Sequence, residues 1–373
     1  MTHVEASPAL APVRPDYDGA WVGALVPAVL GRDTPVWLPE PAAMARGVVL
    51  LVLDGLGWVT IERHRDLLTH LGTMEGWPIT AVAPTTTAAA LTSISTGLTP
   101  AQHGMVGYRM RVGDQVLNVL RWQVPGGRSK APDPVRMQPS PPFLGRNVPV
   151  VTRAEFRDSG FTAAHLRGSD FRGWQTPAVL VEQVARLAAG GARFVYAYYD
   201  GIDRVAHAHG LADGFLSAEL AETDRLVGLL LDRLPGDWAL LVTADHGQVQ
   251  AGRQDLVDLD SLHPMVAVYS GEGRFRSLHA KAGAVAELCA AAEEQLSDIA
   301  WVFTRDELFD DGWLGEGASR EVRRRMGDVV LAARGRVAFA DPKMPNEANL
   351  VGQHGSLTRD EMLVPLLAAY GRA

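Results

Sequence analysis

Unbroken apolar runs recur along the chain, each followed at once by glycine, aspartate, threonine or histidine. Residues 47–53 read GVVLLVL, 194–199 read FVYAYY and 238–243 read WALLVT. Runs without alternation mark strands buried on both faces of a parallel sheet. Residues 77–83 (WPITAVA) predict another buried strand, stopped at Pro84, and the segments 149–152, 161–166 and 363–369 predict further ones. Between them lie helical stretches: 88–96, closed by Gly97; 177–189 (PAVLVEQVARLAA), amphipathic and closed by Gly190-Gly191; and the long 216–234. Strands alternating with helices predict an α/β fold with a mostly parallel central sheet.

The remaining segments set the domain plan. Residues 1–45 carry many prolines and one short helical stretch, 22–30, and read as a lead-in wrapping a main domain of residues 46–373. Two strand-like pieces, 108–112 and 115–122, precede a loop-rich stretch, 124–147, with prolines, glycines and basic residues. A loop of that length is usually functional, so it is expected as an insertion near the mouth of a site. Residues 257–340 have their own alternation: strands at 266–269, 276–279, 299–303 and 329–333, and a helix at 281–296. This block lies between two candidate site segments and is expected to be an inserted cap subdomain. Its arginines 320, 323, 324 and 325 read as a solvated helix face.

Composition narrows the classes. A chain of 373 residues with 47% hydrophobic content can bury a large core. The net charge of −8 argues against binding to a nucleic-acid polymer, which calls for a basic face. An acidic protein that handles phosphate needs local positive charge, which metal ions can supply. Cys289 is the one cysteine, excluding an intrachain disulfide and a thiolate metal cluster; in its Ala-rich stretch it reads as a buried thiol. No apolar run reaches membrane-spanning length and no basic-then-apolar leader is present, so a cytoplasmic enzyme with no membrane partner is expected.

The polar clusters carry the candidate chemistry. Asp54-Gly55 follows the 47–53 run. Open α/β sheets place ligand groups at such strand ends, and an ordinary turn has the same signature. Thr85, Thr86 and Thr87 precede a helical run, where unpaired N–H groups and the helix dipole favour a phosphate; plain N-caps look alike. Asp203 and His207, four apart, share one face of a helical turn. Asp245-His246-Gly247 directly follows the 238–243 run, and His354 stands between glycines in Gly352-Gln353-His354-Gly355. Carboxylates, imidazoles and one hydroxyl are the donors of a two-metal site. His103, His209, His263 and His279 read as loop or core histidines.

In this order the segments resemble the alkaline phosphatase superfamily, and within it the type I phosphodiesterase/nucleotide pyrophosphatase family, from residue 48 to the C-terminus. The family's Asp-Gly strand end matches Asp54-Gly55. Its Pro-Thr-x-Thr stretch, with the Thr-Gly and Pro-x-x-His-Gly that follow, matches Pro84 to Thr87, Thr96-Gly97, Pro100 and His103-Gly104. That register implies Thr87 as the nucleophile rather than Thr85 or Thr86. Asp203 and His207, Asp245-His246-Gly247, and Gly352 with His354-Gly355 match the remaining motifs.

The resemblance implies a three-layer α/β/α sandwich of alkaline-phosphatase type and two divalent cations, zinc or in one site manganese. One is held by Asp203, His207 and His354. The other is held by Asp54, Asp245, His246 and the Thr87 oxygen. It also implies hydrolysis of a small phosphate ester or nucleotide through a phospho-threonine intermediate. The family usually follows its nucleophile with an aromatic, a proline and an asparagine; here stand Ala88-Ala89-Ala90. By resemblance the asparagine lost at Ala90 would bond a phosphoryl oxygen, with Ser93 one turn on as a substitute. The departure keeps a phosphomonoesterase or a phosphonoacetate-type C–P hydrolase as alternatives. Arg109 and the basic residues of 124–147 would then meet the phosphate.

Overall fold

The computed structural model describes residues 11–125 and 130–373. Its central sheet has the strand order Glu75–Thr80, Leu363–Tyr370, Trp238–Thr243, Gly47–Leu53, Phe194–Tyr199, Pro149–Arg153, Asp170–Trp174. Leu363–Tyr370 is antiparallel to both neighbours, and the other pairings are parallel. Every residue of the three strands Gly47–Leu53, Phe194–Tyr199 and Trp238–Thr243 is buried. Successive side chains of a strand point to opposite faces, so both faces are covered, as their unbroken apolar runs require. The register pairs Leu53 with Tyr199 and Val52 with Thr243. The polar clusters that follow the three strands therefore emerge side by side at one edge of the sheet.

Several expected elements differ. The 77–83 run supplies the strand Glu75–Thr80, which is the half-exposed edge of the sheet and has Leu363–Tyr370 as its neighbouring strand, with an isolated bridge from Thr80 to Trp21. Pro78 is tolerated there because an edge strand needs no second partner. Residues 161–166 are not a strand. Ser159 caps a helix, Gly160–His165, by accepting from the Thr162 N–H at 3.0 Å; a short apolar run fits either state. The edge strand Asp170–Trp174 has no unbroken apolar run to announce it. In the lead-in, whose residues 1–10 lie outside the described part, a 3₁₀ turn Val22–Ala24 runs into the helix Leu25–Leu30.

Residues 126–129 of the 124–147 stretch also lie outside the described part; the rest holds a helix, Pro134–Met137, capped by Asp133. The block 257–340 contains an antiparallel sheet in the order Val266–Glu272, Phe275–Ala280, Val329–Ala333, Ala300–Thr304. It has its own apolar cluster around Leu278, Leu288, Leu331 and Phe339. Arg325 is not part of a solvated face. It is buried and donates to the Gly104 and Met137 carbonyls at 2.8 and 3.1 Å. Cys289 is half-buried rather than buried, because Leu288, Ala292 and Leu296 take the inner face of its helix. No helix among the described residues is long and apolar enough to cross a membrane.

Candidate active site

Thr87 opens the helix Thr87–Thr96, all of which is buried, and Gly97 closes it in the left-handed conformation at φ 74°. Thr86 takes the N-cap position, yet its hydroxyl makes no capping bond; it turns to the Glu272 carboxyl instead. Thr85 stitches this turn to the late loop. Its hydroxyl donates to the Ser356 carbonyl at 2.7 Å, its N–H donates to the Gly355 carbonyl at 3.1 Å, and its carbonyl accepts from His354 Nδ1 at 2.8 Å. The residues near 87 and near 354 are thereby held together across the whole length of the catalytic region.

Around Thr87 the structure brings all the sequence-predicted site residues together. Thr87 Oγ1 lies 3.1 Å from His246 Nε2. That nitrogen is 3.4 Å from an oxygen of Asp54 and 3.4 Å from one of Asp245. Donor atoms of Asp54, Asp245 and His246 all lie within 4.8 Å of one another, as do those of Asp203, His246 and His354. His246 thus stands between the two groups, its ring stacked on His354 at 3.5 Å. His207 Nε2 is 3.3 Å from Asp203 and its ring centroid 5.2 Å from that of His354.

The three imidazoles are oriented alike. His207 Nδ1 pairs with the Gly352 carbonyl at 2.7 Å, His246 Nδ1 with Gly247 at 3.1 Å and His354 Nδ1 with Thr85 at 2.8 Å. A carbonyl only accepts, so each Nδ1 carries a proton, and Nε2 is the nitrogen turned toward the carboxylates and toward any bound cation. Asp54 Oδ1 and Asp245 Oδ2 are buried without a hydrogen-bond partner among the described residues. Burial first, then the charges of Asp245 and Asp203, pushes the Asp54 carboxyl well above its ordinary range. Burial likewise raises Asp245, against the pull of His246. Burial, with His246 and His207 nearby, pushes His354 well below the ordinary imidazole value. Crowded carboxylates and imidazoles whose Nε2 atoms converge on them are the donor set that a divalent cation satisfies.

Two supporting residues had no motif to announce them. Tyr198, near the end of its central strand, donates its hydroxyl to Asp54 Oδ2. Gln248, two residues past His246, donates to Asp203 Oδ1 at 2.7 Å. Gly55, at φ 79°, is needed for that approach: a Cβ there would sit 2.6 Å from the Gln248 amide nitrogen and 3.1 Å from Asp203 Cα.

Two cavities meet at Thr87. One, of about 210 Å³, is bounded by Leu91, Phe156, Phe161, Leu166 and Tyr198. The other, of about 380 Å³, is bounded by Tyr108, Asn118, Glu272, Glu347 and Gln353. Ala90 borders neither; it points into the apolar core, so its identity does not bear on phosphoryl contacts. Ser93 faces His103 Nε2 at 2.9 Å in the interior and is no substitute donor. Arg109 lines neither cavity; it is buried, paired with Asp341 at 2.5 Å, and lies 3.8 Å from Glu347 Oε1 beside the larger cavity. No described residue of 124–147 lines either cavity.

The family model for type I phosphodiesterase/nucleotide pyrophosphatase matches residues 48–357. The chain belongs to that family. Members of the type I phosphodiesterase/nucleotide pyrophosphatase family are metal-dependent phosphoric ester hydrolases, and this chain is one of them. Among solved structures, murine ectonucleotide pyrophosphatase/phosphodiesterase 5 is similar, with 16% identity and a TM-score of 0.68 over 88% of this chain and 89% of its own. An inactive threonine-to-alanine variant of the murine protein, in complex with AMP, gives 16% and 0.67 over 87% and 88%. The human protein gives 16% and 0.65 over 88% of each chain. At that identity the likeness establishes the alkaline-phosphatase-like fold. No curated protein matches the sequence.

Proposed function

We propose that this family member is a phosphodiesterase of the nucleotide pyrophosphatase type with Thr87 as its nucleophile. The Thr87 hydroxyl carries the assignment: it opens a buried helix, lies 3.1 Å from His246 Nε2 and stands where the two cavities meet. A diester has two organic substituents, and two cavities offer room for both. Asp54, Asp245 and His246, with the Thr87 oxygen, would hold one divalent cation, and Asp203, His207 and His354 the other, zinc or manganese. When bound, such cations stabilise charge on phosphoryl oxygens and make a hydroxyl or water acidic near neutral pH.

The chain's own groups do the rest. The Thr87 hydroxyl gives up its proton to solvent as Oγ1 bonds to phosphorus, the bond to the leaving alcohol breaks, and that alcohol takes a proton from solvent. The first-turn N–H groups of the Thr87 helix face the developing negative charge. Water then attacks phosphorus, the bond to Thr87 breaks and the hydroxyl is restored. Tyr198 and Gln248 hold Asp54 and Asp203 in register throughout. A nucleotide substrate is supported by the family and by the AMP bound to the murine variant. That variant's loss of activity on removing a threonine supports the nucleophile's residue type. Arg109, tied to Asp341, is not the group that would grip a terminal phosphate.

Hydrolysis of bis-p-nitrophenyl phosphate beside p-nitrophenyl phosphate, with zinc or manganese and with chelator, tests this. Faster, chelator-sensitive turnover of the diester is expected. Faster turnover of the monoester would replace this assignment with a phosphatase, and turnover of neither by metal-loaded protein would point to phosphonates.

A further inference from the structure

Glu272 ends a strand of the 257–340 block, yet its side chain reaches the larger cavity beside Thr86 and Thr87. It is 9% exposed, and its Oε1 has no hydrogen-bond partner among the described residues. Gly355 makes room for it: a Cβ at that position would lie 2.8 Å from Glu272 Cγ. Glu347 borders the same cavity, and its Oε1 also has no hydrogen-bond donor. Its other oxygen accepts from Arg276 at 2.5 Å. Two other polar groups that line the cavity are already paired, and Arg121 and Asn346 line it as well. Asn118 Nδ2 donates to the Tyr108 hydroxyl at 2.7 Å, and Gln353 Nε2 donates to the Ala251 carbonyl at 2.7 Å. One face of this cavity therefore holds two carboxyl oxygens short of a donor. A buried acceptor left without a donor is costly, so a ligand that brings hydroxyl hydrogens is selected over an apolar one. The smaller cavity has an apolar side of Leu91, Phe156, Phe161 and Leu166, facing a polar side that includes His165, Asp200 and Arg204.

On the phosphodiesterase reading above, we propose that Glu272, with Glu347, is a specificity-determining residue that accepts hydrogen bonds from a hydroxylated substituent of the diester. That substituent is a polyol or a sugar, and the apolar or aromatic substituent occupies the smaller cavity. A hydroxyl suits the site better than an ammonium group. Glu347 is already ion-paired to Arg276, so its charge is not free to hold a second cation.

Three p-nitrophenyl phosphodiesters of equal reach test the proposal, with ω-hydroxybutyl, pentyl or ω-aminobutyl as the second substituent. The metal-loaded enzyme is expected to favour the hydroxybutyl ester over the pentyl ester by about tenfold in kcat/KM. Glu272→Leu should bring that ratio to within about twofold, and Glu272→Gln, which keeps an accepting oxygen, should retain most of it. The ratio is read on one preparation, so a reduced folded fraction does not alter it. Equal rates for the two esters in the wild type, or a ratio unchanged in Glu272→Leu, overturns the proposal while leaving the phosphodiesterase reading standing. Preference for the aminobutyl ester overturns the hydroxyl assignment. Turnover of none of the diesters, bis-p-nitrophenyl phosphate included, removes the underlying reading and this one with it.

Discussion

At the scale of single residues, the site is a set of buried charges whose energies depend on what lies between them. Asp245 Oδ1 accepts from the N–H groups of Gly55 and His246 at 3.2 and 3.1 Å, while Oδ2 has no donor among the described residues. Its charge therefore favours metal binding and opposes folding without metal. Asp245→Asn should raise the melting temperature by a few degrees in chelator and weaken divalent-metal affinity at least a hundredfold. Thermal denaturation with and without chelator reads both, and a lower melting temperature in chelator rejects this account. Thr87→Ala should lower kcat at least a thousandfold while melting temperature and metal content stay near wild type. Wild-type turnover in that variant would remove Thr87 from the mechanism.

At the scale of elements, the Thr87 helix is held from within the core by a buried histidine. Its Ser93 meets His103 Nε2, and His103 Nδ1 accepts from the Met105 N–H at 3.0 Å. Burial, with Arg325 adding to it, pushes His103 down to about 3. In the unfolded chain it titrates near the ordinary value of about 6.5. Below that pH the unfolded state binds a proton that the folded state refuses. The stabilisation is whole above pH about 6.5 and is lost as pH falls toward 3, at about 1.4 kcal/mol per pH unit. Urea unfolding at pH 7, 6 and 5 should show this slope, reduced by about one proton in His103→Asn; an unchanged slope in that variant refutes the assignment. His165, buried against Phe161 and pushed down to about 4, adds a second contribution of the same sign.

At the scale of the whole molecule, the 257–340 block and the main sheet share the site through buried ion pairs. Arg274 donates to both oxygens of Glu361 at 2.7 and 2.8 Å, with both side chains fully buried. Glu361 in turn accepts from the Ser356 N–H at 2.9 Å, two residues beyond His354. We infer that this pair seats the block, acting as a cap, on the loop that carries His354. Arg274→Met leaves Glu361 charged and unpaired, which should cost about 3–5 kcal/mol. It should also lower the affinity for the more weakly held metal ion before the protein unfolds. Chemical denaturation and metal titration check the two effects, and loss of stability without loss of metal affinity would separate the block from the site.

The sequence alone determined the central strands and the residues standing at their ends. A strand buried on both faces must be apolar at every position, so Gly47–Leu53, Phe194–Tyr199 and Trp238–Thr243 announce themselves, and so do Asp54, Asp203 and Asp245 beyond them. Local spacing also set the threonines 85–87 at a helix start and His354 between glycines, and the family resemblance singled out Thr87. Tertiary structure decided everything that depends on a partner far along the chain. The direction of Ala90 follows from how its helix is rotated against the core, and the edge position of Glu75–Thr80 from its having one neighbour. Arg109 is claimed by Asp341, 232 residues away, and Asp54 by Tyr198, 144 residues away. Glu272 reaches the turn that carries Thr87 only because a separate sheet packs against the site. Periodicity reports whether a side chain is buried; it carries no record of which distant group the fold sets opposite it.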